Sequence, residues 1–490
     1  MTTTTHNQAC DLILFGTKGD LARRKLLPAL YQLEKAGLLA ADSRIIGVAR
    51  DEMDSAAYIE LVKTNLVRFL KTEPLDEQVW ATLASKLHYV AIDLTKTSDY
   101  QKLNNVVDIT QRIPVSYFAT PPSLFGDLCR GLAEAGLAAE PSRVVLEKPI
   151  GHDLASSRVI NDKVAEYFKE CQIYRIDHYL GKETVLNLLA LRFANAIFAS
   201  NWDHNAIDHV QITVAEEVGV EGRWSYYDDA GQMRDMVQNH LLQVLSLIAM
   251  EPPARLDADS IRDEKLKVLK ALRRIDHTNV QEKTVRGQYT SGFATGQAVP
   301  GYLEEEGARP NSKTETFVAI KVDIDNWRWA GVPFYLRTGK RMPKKHSEVV
   351  ICFKPQPHNI FHETYRELPA NKLIIRLQPD EGVEIQMMNK IPGLGEHMRL
   401  QQSKLDLSFD ETFKSQRIAD AYERLLLEAM LGNQYLFVRR DEVEQAWQWV
   451  DGIINAWRNS NEPPKSYQSG SWGPVSAISM MARDDRNWDE

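Results

Sequence analysis

The first third of the chain alternates short apolar runs with segments of helical period. Five runs are rich enough in β-branched and aromatic residues to predict strands: Cys10–Phe15, Arg44–Ala49, 87–94, 115–119 and Arg143–Leu146. Short apolar strands separated by helices are typical of a parallel sheet whose two faces are both covered. This part of the chain is therefore predicted to fold as an α/β domain with a doubly wound parallel sheet.

The segments between these runs have the period of helices. Residues 20–36 are predicted to form the first crossover helix, with Gly37 just past its end. Pro28 lies inside this helix and should bend or split it, since proline cannot donate the hydrogen bond of a regular helical turn. Residues 185–198 are the most apolar stretch, but Arg192 and two asparagines interrupt it, so we expect a buried helix rather than a membrane span.

After Tyr179 the pattern changes to alternation of apolar and polar residues. Val210, Ile212 and Val214 alternate with polar neighbours, and residues 318–324 repeat the pattern. Such alternation is typical of an antiparallel sheet with one covered face. Other segments also predict strands or helices: strands at 348–353, 373–377 and 383–388, and helices at 418–430 and 443–457.

Two domains are therefore predicted. Residues 1–177 form the α/β domain, and residues 178–490 form a larger α+β domain with a mostly antiparallel sheet. The chain has 490 residues, with 59 Lys and Arg against 67 Asp and Glu, which gives a net charge of −8. Its 43% hydrophobic and 26% charged residues exclude a disordered or fibrous protein. The negative charge disfavours a general nucleic-acid binder.

The four cysteines and the N-terminal segment bear on the compartment. The cysteines are far apart in the chain, so they indicate neither a zinc ribbon nor a disulfide framework. Residues 1–8 are polar and lack the apolar centre of a signal peptide. We therefore expect a protein of the reducing cytoplasm that does not bind membranes.

The turn after the first strand has the sequence Gly16-Thr17-Lys18-Gly19-Asp20-Leu21 and leads directly into the first helix. Such a turn exposes backbone N–H groups at a helix N-terminus, where a pyrophosphate is stabilised by these donors and by the helix dipole. The turn departs from the GxGxxG spacing, and a glycine turn can also serve only to connect a strand to a helix. Its position in the chain favours a Rossmann-like dinucleotide site.

Two basic residues follow later strands of the same predicted sheet. Arg50 ends the second strand, where an arginine would pair with the 2′-phosphate of NADP and a carboxylate would favour NAD. Acidic residues follow it directly, so a solvated surface arginine is the alternative, and we favour NADP. Lys148 ends the fifth strand, at the edge of the sheet where ligands bind in this fold class. Lys148 is expected either to serve both the cofactor and the substrate or, as the alternative, to be a strand-end charge that reaches solvent.

Residues 174–183 carry the densest set of polar groups, including Asp177, His178, Tyr179 and Lys182. His178 and Lys182 are four positions apart, so they share one face if this segment is helical. Two such groups suit a phosphate, and Tyr179 adds a further donor. The alternative is a satisfied polar cluster at a domain junction.

Three candidates lie in the second domain. Glu216 continues the even-numbered series of an alternating strand, so it should point to the covered face. A carboxylate is costly there unless it meets a ligand or a buried ion pair. Asp235 and His240 lie on one predicted helix. His240, among apolar neighbours, is either a core histidine or, if a carboxylate orients it, a general base.

The last candidate segment, residues 337–345, contains five basic side chains, among them Lys340 and Lys345. On an acidic protein this is either a loop that faces an anion or an ordinary solvated loop. No interleaved aromatic residues support a nucleic-acid site.

Together these segments resemble the glucose-6-phosphate dehydrogenase family over nearly the whole chain. GTKGDLARRKL is similar to that family's cofactor turn, and EKPIG, RIDHYLGKE, DMVQNHLLQ and YLRTGK followed by two lysines match in order and spacing. RIDHYLGK is the most specific of these motifs. The resemblance implies oxidation of glucose 6-phosphate at C1 to 6-phosphoglucono-δ-lactone with hydride transfer to NADP. This is the first step of the oxidative pentose phosphate pathway.

The resemblance also implies roles for individual residues. His240 would take the proton from the C1 hydroxyl, and Asp177 would orient His240. Residues that would hold the 6-phosphate are His178, Tyr179 and Lys182. Residues that would bind the sugar hydroxyls are Glu216, Asp235, Lys340 and Lys345. Residues that would contact the dinucleotide are Gly16, Thr17, Lys18, Gly19, Asp20, Leu21 and Arg50, with Ile92 and Asp93 near the adenine and Lys148 between cofactor and substrate.

The same resemblance implies no metal and a homodimer or homotetramer. Lys18 stands where many members of the family carry a smaller residue, and some members also accept NAD, so NAD is expected as a poorer alternative to NADP. Two other hypotheses are an NAD(P) oxidoreductase of an unphosphorylated sugar and a catalytically silent NADP-binding sensor. The donors around His178 argue against the first, and the presence of both His240 and Asp177 argues against the second.

Overall fold

The chain divides into two compact units in a computed structural model, which describes residues 8–70, 74–294, 296–394, 398–414, 416–460 and 462–490. The first unit contains the chain up to Lys182 together with Pro253–Asp263 and Ala419–Glu444. The second contains Glu183–Pro252, Glu264–Ile418 and Gln445–Glu490. A single division after residue 177 does not assign the two later segments to the first unit.

The first unit is built on a parallel sheet of six strands. These strands are β1 (Cys10–Phe15), β2 (Arg44–Ala49), β3 (Leu87–Ala91), β4 (Ile113–Phe118), β5 (Arg143–Leu146) and β6 (Ile173–Arg175). Their order is β3-β2-β1-β4-β5-β6, so the direction of winding reverses between β1 and β4. This is the order of a Rossmann-like doubly wound sheet, which the sequence predicted. All six residues of β1 are buried, as expected of a strand with both faces covered.

Helices cover this sheet. In chain order they are α1 (Leu27–Lys35), α2 (Ser55–Phe69), α3 (Glu77–Ser85), α4 (Phe125–Glu134) and α5 (Leu154–Ala165). Short 3₁₀ turns occur at Thr97–Asn105, Pro122–Leu124 and Glu170–Gln172. A wide turn at Ala22–Leu26 precedes α1, and Pro28 lies in the first turn of α1. The helix predicted over residues 20–36 is thus interrupted just before Pro28, by the wide turn, and the regular helix begins at Leu27.

The second unit is built on a mixed sheet of nine strands. The strands after the first unit are β7 (Ile207–Ala215), β8 (Thr284–Thr290), β9 (Gly292–Ala294), β10 (Gln297–Val299), β11 (Phe317–Val322), β12 (Phe334–Gly339), β13 (His346–Phe353), β14 (Lys372–Gln378), β15 (Gly382–Lys390), β16 (Leu400–Ser408) and β17 (Lys465–Gln468). The order is β16-β15-β14-β13-β7-β12-β11-β8-β17, while β9 and β10 form a separate hairpin. Two pairs, β7–β12 and β8–β17, are parallel, and the rest are antiparallel, as predicted for most of this sheet.

The remaining helices follow in chain order. They are α6 (Glu183–Phe193), α7 (Ala196–Ala199), α8 (Trp224–Gln232), α9 (Leu242–Ala249), α10 (Ala258–Ala271), α11 (Val280–Lys283), α12 (Phe409–Thr412), α13 (Ala421–Leu431), α14 (Arg440–Ser460) and α15 (Val475–Ala482). A 3₁₀ turn lies at Tyr302–Glu304, and a wide helical segment, Met233–Leu241, runs directly into α9. No helix within the described residues has the length and apolar character needed to cross a membrane.

Two expectations about this unit were wrong. The apolar stretch 185–198 is not one buried helix, because α6 ends at Phe193 and Ile197 on α7 is 67% exposed. Nor does β7 have a polar face toward solvent, since Gln211 is buried together with its polar neighbours. The Gln211 amide donates to the carbonyl of Asn487 at 2.9 Å, so residues near the C-terminus cover this face. The pattern of residues within one strand does not reveal that residues far away in the sequence cover one of its faces.

Candidate functional site

The glycine turn of the first unit lies where the winding of the sheet reverses. Gly16 has φ +84°, and a β-carbon there would lie 2.4 Å from the carbonyl oxygen of Ala119, at the end of β4. Only glycine tolerates both the conformation and the close approach. The Gly19 N–H donates to the Gly16 carbonyl at 2.8 Å, which closes the turn. In open α/β sheets, ligands bind at this point of reversal.

Two polar atoms near this turn make it fit an anionic dinucleotide. The hydroxyl oxygen of Thr120, which follows β4, is buried and has no hydrogen-bond partner among the described residues. The Nε of Arg23, in the wide turn before α1, is likewise buried and without a hydrogen-bond partner among the described residues. Buried donors of this kind are costly unless a ligand meets them. Sequence reasoning named neither residue as a site residue, although Arg23 lies within the GTKGDLARRKL segment.

The end of β2 carries mixed charge. Lys18 forms an ion pair with Asp51, and the hydrogen bond from Lys18 is the main reason why the pKa of Asp51 is lowered. Arg50 is exposed beside them. The arrangement places a guanidinium that suits a 2′-phosphate next to a carboxylate that suits a ribose hydroxyl.

The end of β3 supplies Ile92 and Asp93. Ile92 is fully buried, and its N–H donates to the Ala49 carbonyl at 2.9 Å. The Asp93 carboxylate accepts bonds from the Thr95 hydroxyl and backbone N–H, and these bonds lower its pKa. Both residues lie at the carboxyl edge of the same sheet as the glycine turn.

The end of β5 holds a buried carboxylate that sequence reasoning did not single out. Glu147 is 7% exposed and accepts a hydrogen bond from the Tyr117 hydroxyl at 2.5 Å. The Tyr422 hydroxyl also bonds this carboxylate. Burial raises the pKa of Glu147, although Tyr117 and the neighbouring Lys148 oppose the shift. The Lys148–Pro149 peptide that follows is cis.

The segment around His178 is a series of turns, so the conditional prediction of a helical face shared by His178 and Lys182 was wrong. Helix α6 begins only at Glu183. Asp177, 2% exposed, accepts the Tyr179 N–H at 2.9 Å, which turns the chain sharply after β6. Lys182 is 7% exposed, and its ammonium lies 3.9 Å from the centre of the Tyr179 ring. The turns therefore gather the donors that a helix was expected to gather.

Helix α13, from the far end of the chain, completes this part of the first unit. The Tyr422 ring lies parallel to the His178 ring, with 10° between the planes and 6.3 Å between the centres. Asp420 caps α13 by accepting the Tyr422 N–H, and Lys25 pairs with Asp420 at 2.9 Å. Gly181 permits the approach, since a β-carbon there would lie 2.7 Å from the Ala421 carbonyl oxygen.

In the second unit, strand register places three predicted residues together. The parallel pair β7–β12 aligns Ala215 with Gly339, so Glu216 and Lys340 follow side by side. The Lys340 ammonium lies 2.8 Å from Glu216 Oε2 and 4.0 Å from Asp235 Oδ2. Its side chain is only 3% exposed, whereas that of Glu216 is 27% exposed. Glu216 thus meets a buried cation and also reaches solvent, which suits an acceptor for a polar ligand.

Two tyrosines hold Lys340 in place. Its ammonium lies 5.1 Å from the centre of the Tyr227 ring, and the Tyr227 hydroxyl donates to Gln232 at 2.6 Å. The Tyr467 hydroxyl donates to the Lys340 carbonyl at 2.7 Å. Neither tyrosine was a candidate from sequence, because each comes from a separate element with no motif of its own.

The two remaining candidates of this unit differ in environment. His240 is fully buried in the wide helical segment Met233–Leu241, and its backbone N–H donates to the Asn239 side-chain oxygen at 2.6 Å. Lys345 is exposed in the loop after β12. The structure therefore places His240 inside the protein and Lys345 on a solvated loop.

Comparisons with known proteins agree with this geometry. Residues 13–187 match the family model for the glucose-6-phosphate dehydrogenase NAD binding domain, and residues 189–489 match the model for the C-terminal domain of the same family. The chain is 66% identical over 490 residues to glucose-6-phosphate 1-dehydrogenase of Dickeya dadantii, with both chains covered completely.

Solved structures give the same result. The structure is similar, with a TM-score of 0.90, 35% identity and complete coverage of both chains, to a glucose-6-phosphate dehydrogenase in complex with its substrate glucose 6-phosphate. It is also similar to glucose-6-phosphate 1-dehydrogenase of Mycobacterium avium, with a TM-score of 0.85 and 37% identity over 98% of this chain and 99% of the other. The Rossmann-like domain accounts for the use of NAD(P) as the dinucleotide. The chain belongs to the glucose-6-phosphate dehydrogenase family.

Proposed function

We propose that this chain oxidises glucose 6-phosphate at C1 to 6-phospho-D-glucono-1,5-lactone, with His240 as the general base and Asp177 as the residue that orients it. The oxidation of glucose 6-phosphate is the function of the family to which the chain belongs. One observation carries the substrate assignment: an imidazole, a phenol and a largely buried ammonium lie on one turn, at His178, Tyr179 and Lys182. Donors in such a group stabilise the 6-phosphate.

The proton is taken by His240 from the C1 hydroxyl. An imidazole changes its charge near physiological pH, so it accepts the proton readily and releases it to solvent later. The Asp177 carboxylate holds the ring in orientation and stabilises its protonated form. As the hydroxyl loses its proton, the hydrogen on C1 leaves with its electron pair. The nicotinamide ring of bound NAD(P) supplies the acceptor for that hydride.

The sugar is oriented by polar groups of the second unit. Glu216 and Asp235 accept hydrogen bonds from the hydroxyls, and Lys340 donates. Lys345 contributes from the loop that follows β12. Lys148, at the end of β5, contacts both sugar and cofactor.

NADP is the proposed dinucleotide, with NAD as a poorer alternative and no metal. The turn formed by residues 16–21 holds the pyrophosphate, and Arg50 pairs with the 2′-phosphate. Ile92 and Asp93 lie on the adenine side. The Lys18–Asp51 ion pair keeps a carboxylate near the ribose, which supports residual use of NAD.

The proposed binding roles follow the two domains predicted from the sequence. We assign residues 1–177 to NADP binding and residues 178–490 to substrate binding and to assembly as a homodimer or homotetramer. The cytoplasm is the proposed compartment, where the four cysteines stay reduced.

The deciding experiment is an absorbance assay of reduced nicotinamide with purified enzyme. Glucose 6-phosphate with NADP should give turnover, while NAD should give less and glucose little. His240→Asn should lower kcat by at least about 10²- to 10⁴-fold with KM for glucose 6-phosphate nearly unchanged. His362→Asn, an exposed histidine, is the matched control and should keep full activity. Near-normal turnover of His240→Asn would remove His240 from the mechanism.

A further inference from the structure

The second unit contains a cavity of about 440 Å³. This volume lies within the range of small-molecule sites, about 300–1,000 Å³. None of the residues proposed to bind the sugar is among the described residues that line it. Its walls come from four parts of the chain: Arg234 in the wide segment Met233–Leu241, Arg286 on β8, Lys313 before β11, and Ile454, Trp457 and Arg458 on α14. The cavity is therefore a separate feature, built within one compact unit.

Three basic groups of the lining are not neutralised by a carboxylate of their own. Lys313 and Arg458 are exposed, and neither has an ion pair or hydrogen bond with another described residue. Arg286 donates to the carbonyl oxygens of Trp457 and Glu462, which satisfy its N–H groups but carry no net charge. Burial lowers the pKa of the Arg286 guanidinium, although two nearby carboxylates oppose the shift. An anion in the cavity would stabilise these cations.

The two buried acidic residues of the lining are already engaged. Asp228 accepts a hydrogen bond from the Tyr302 hydroxyl at 2.9 Å and pairs with Arg309 at 3.3 Å. Glu315 accepts the Met233 N–H at 3.1 Å, and burial raises the pKa of its carboxyl group. A raised pKa disfavours the charged form of Glu315. Neither residue therefore offers a free negative charge to the basic groups.

The two exposed acidic residues of the lining also have partners outside the cavity. Asp229 is 79% exposed and lies 3.9 Å from Arg309. The exposed Glu462 carboxylate accepts a hydrogen bond from the Gln281 amide at 3.1 Å. Charges in contact with water are strongly screened, so these two carboxylates leave the basic groups available to a ligand.

Helix α14 gives the cavity an apolar wall beside the basic one. Ile454, Trp457 and Arg458 are three and four positions apart, so they share one face of the helix. Ile454 and Trp457 are each 6% exposed. The Trp457 indole N–H donates to the Thr284 hydroxyl at 2.8 Å, which fixes the ring. A ligand with both a charged and an apolar part fits such a lining.

We propose that this cavity binds a small phosphorylated organic molecule. Its phosphate is held by Arg286, Lys313 and Arg458, because guanidinium and ammonium groups form strong charge-assisted hydrogen bonds with phosphate oxygens. Its organic part contacts Ile454 and Trp457. The site is additional to the proposed substrate and dinucleotide sites and does not depend on the reaction proposed for them.

The test is a calorimetric titration of the full chain with phenyl phosphate. Saturating glucose 6-phosphate and NADPH are present, so that the proposed substrate and dinucleotide sites are filled. The wild type should bind one phenyl phosphate per chain. Lys313→Glu and Arg458→Glu each replace a cation by an anion, so each should raise the Kd at least about tenfold. Lys270→Glu, an exposed change of the same kind in the same unit, should leave the Kd unchanged.

The three variants should turn over glucose 6-phosphate like the wild type without phenyl phosphate, since none of them alters a residue of the proposed catalytic machinery. This turnover shows that each variant is folded. The absence of phenyl phosphate binding to the wild type would overturn the proposal. An unchanged Kd in both Lys313→Glu and Arg458→Glu would overturn it as well.

Inorganic phosphate is the second probe and distinguishes a phosphate ester from free phosphate. Phenyl phosphate should bind more tightly, because its ring is buried against Ile454 and Trp457. Equal affinities would show that the cavity takes free phosphate and would overturn the organic part of the proposal. A lack of glucose 6-phosphate oxidation in the absorbance assay would refute the proposed function instead, while Lys313→Glu and Arg458→Glu would still report on this cavity alone.

Discussion

Lys340 and Glu216 form an ion pair of 2.8 Å because the parallel strands that carry them run in register. Each residue directly follows the end of its strand, so the register of the two strands sets the separation of their backbones. The Lys340 side chain is only 3% exposed, and a buried charge is costly unless it is paired. Glu216 therefore neutralises Lys340 while part of its side chain stays exposed, which fits its proposed role as an acceptor for a sugar hydroxyl.

Replacement of Lys340 should weaken the binding of glucose 6-phosphate more than it slows the chemistry. Lys340→Gln removes a charged donor and leaves Glu216 without its cation, so KM for glucose 6-phosphate should rise at least about tenfold while kcat falls less. Lys344→Gln, a change of the same size on an exposed neighbour, is the control. Steady-state kinetics at saturating NADP measure both constants. An unchanged KM in Lys340→Gln would show that the pair is only structural.

Arg50 should determine the preference between the two dinucleotides. Arg50→Ala removes the guanidinium that is proposed to pair with the 2′-phosphate, so KM for NADP should rise about tenfold or more and KM for NAD should change little. Asp51 and Lys18 stay in place and preserve the NAD mode. The control is Arg68→Ala on α2, also exposed. Equal changes for NADP and NAD would argue against a 2′-phosphate contact at Arg50.

Local sequence patterns predicted most of the first sheet and less of its surroundings. Five of its strands are short apolar runs between helices, and such runs are recognisable without tertiary information. The sixth, Ile173–Arg175, has three residues, too few to show a period. The hydrogen-bonded pair of Glu147 and Tyr422 lies beyond this kind of reasoning, because the two residues come from distant parts of the chain.

Most candidate residues follow a predicted strand or lie in a dense polar segment, whereas Asp235 and His240 lie on a predicted helix and received their roles from the family resemblance. The residues that hold these side chains in place were not recognisable from the sequence. Tyr227 and Tyr467 hold Lys340 through contacts that only the folded sheet creates. The turns around His178 were mistaken for a possible helix, since a spacing of four residues does not distinguish a helix from a tight turn stabilised by Asp177. Sequence thus identifies groups with chemistry, and tertiary packing decides how they are held.

The four cysteines should react with a thiol reagent in two classes. Cys171 is exposed, whereas Cys10, Cys129 and Cys352 are buried. Burial raises the pKa of Cys10 to about 11 and that of Cys352 to about 12, so neither forms thiolate at pH 8. A chromogenic disulfide at pH 8 should therefore titrate one thiol per native chain rapidly, and four in denaturant. Cys171→Ser should abolish the rapid phase.

Glu147 should make the stability of the protein depend on pH. Burial raises its pKa above the ordinary value of 4.5, so the folded state holds its proton more tightly than the unfolded state. Below pH 4.5 Glu147 is protonated in both the folded and the unfolded state, and its contribution to the free energy of unfolding is at its highest. As pH rises from 4.5 toward the raised pKa, the unfolded state loses the proton first, and stability falls.

Glu147→Gln removes this titration and keeps an oxygen that accepts the Tyr117 hydroxyl. Its Tm should therefore improve relative to the wild type as pH is raised from 5 to 8, with the smallest difference at pH 5. Glu134→Gln, an exposed change of the same kind, should follow the wild type at every pH. Calorimetry at four pH values measures the difference. A constant offset between Glu147→Gln and the wild type would mean that Glu147 is ionised in the folded protein throughout this range.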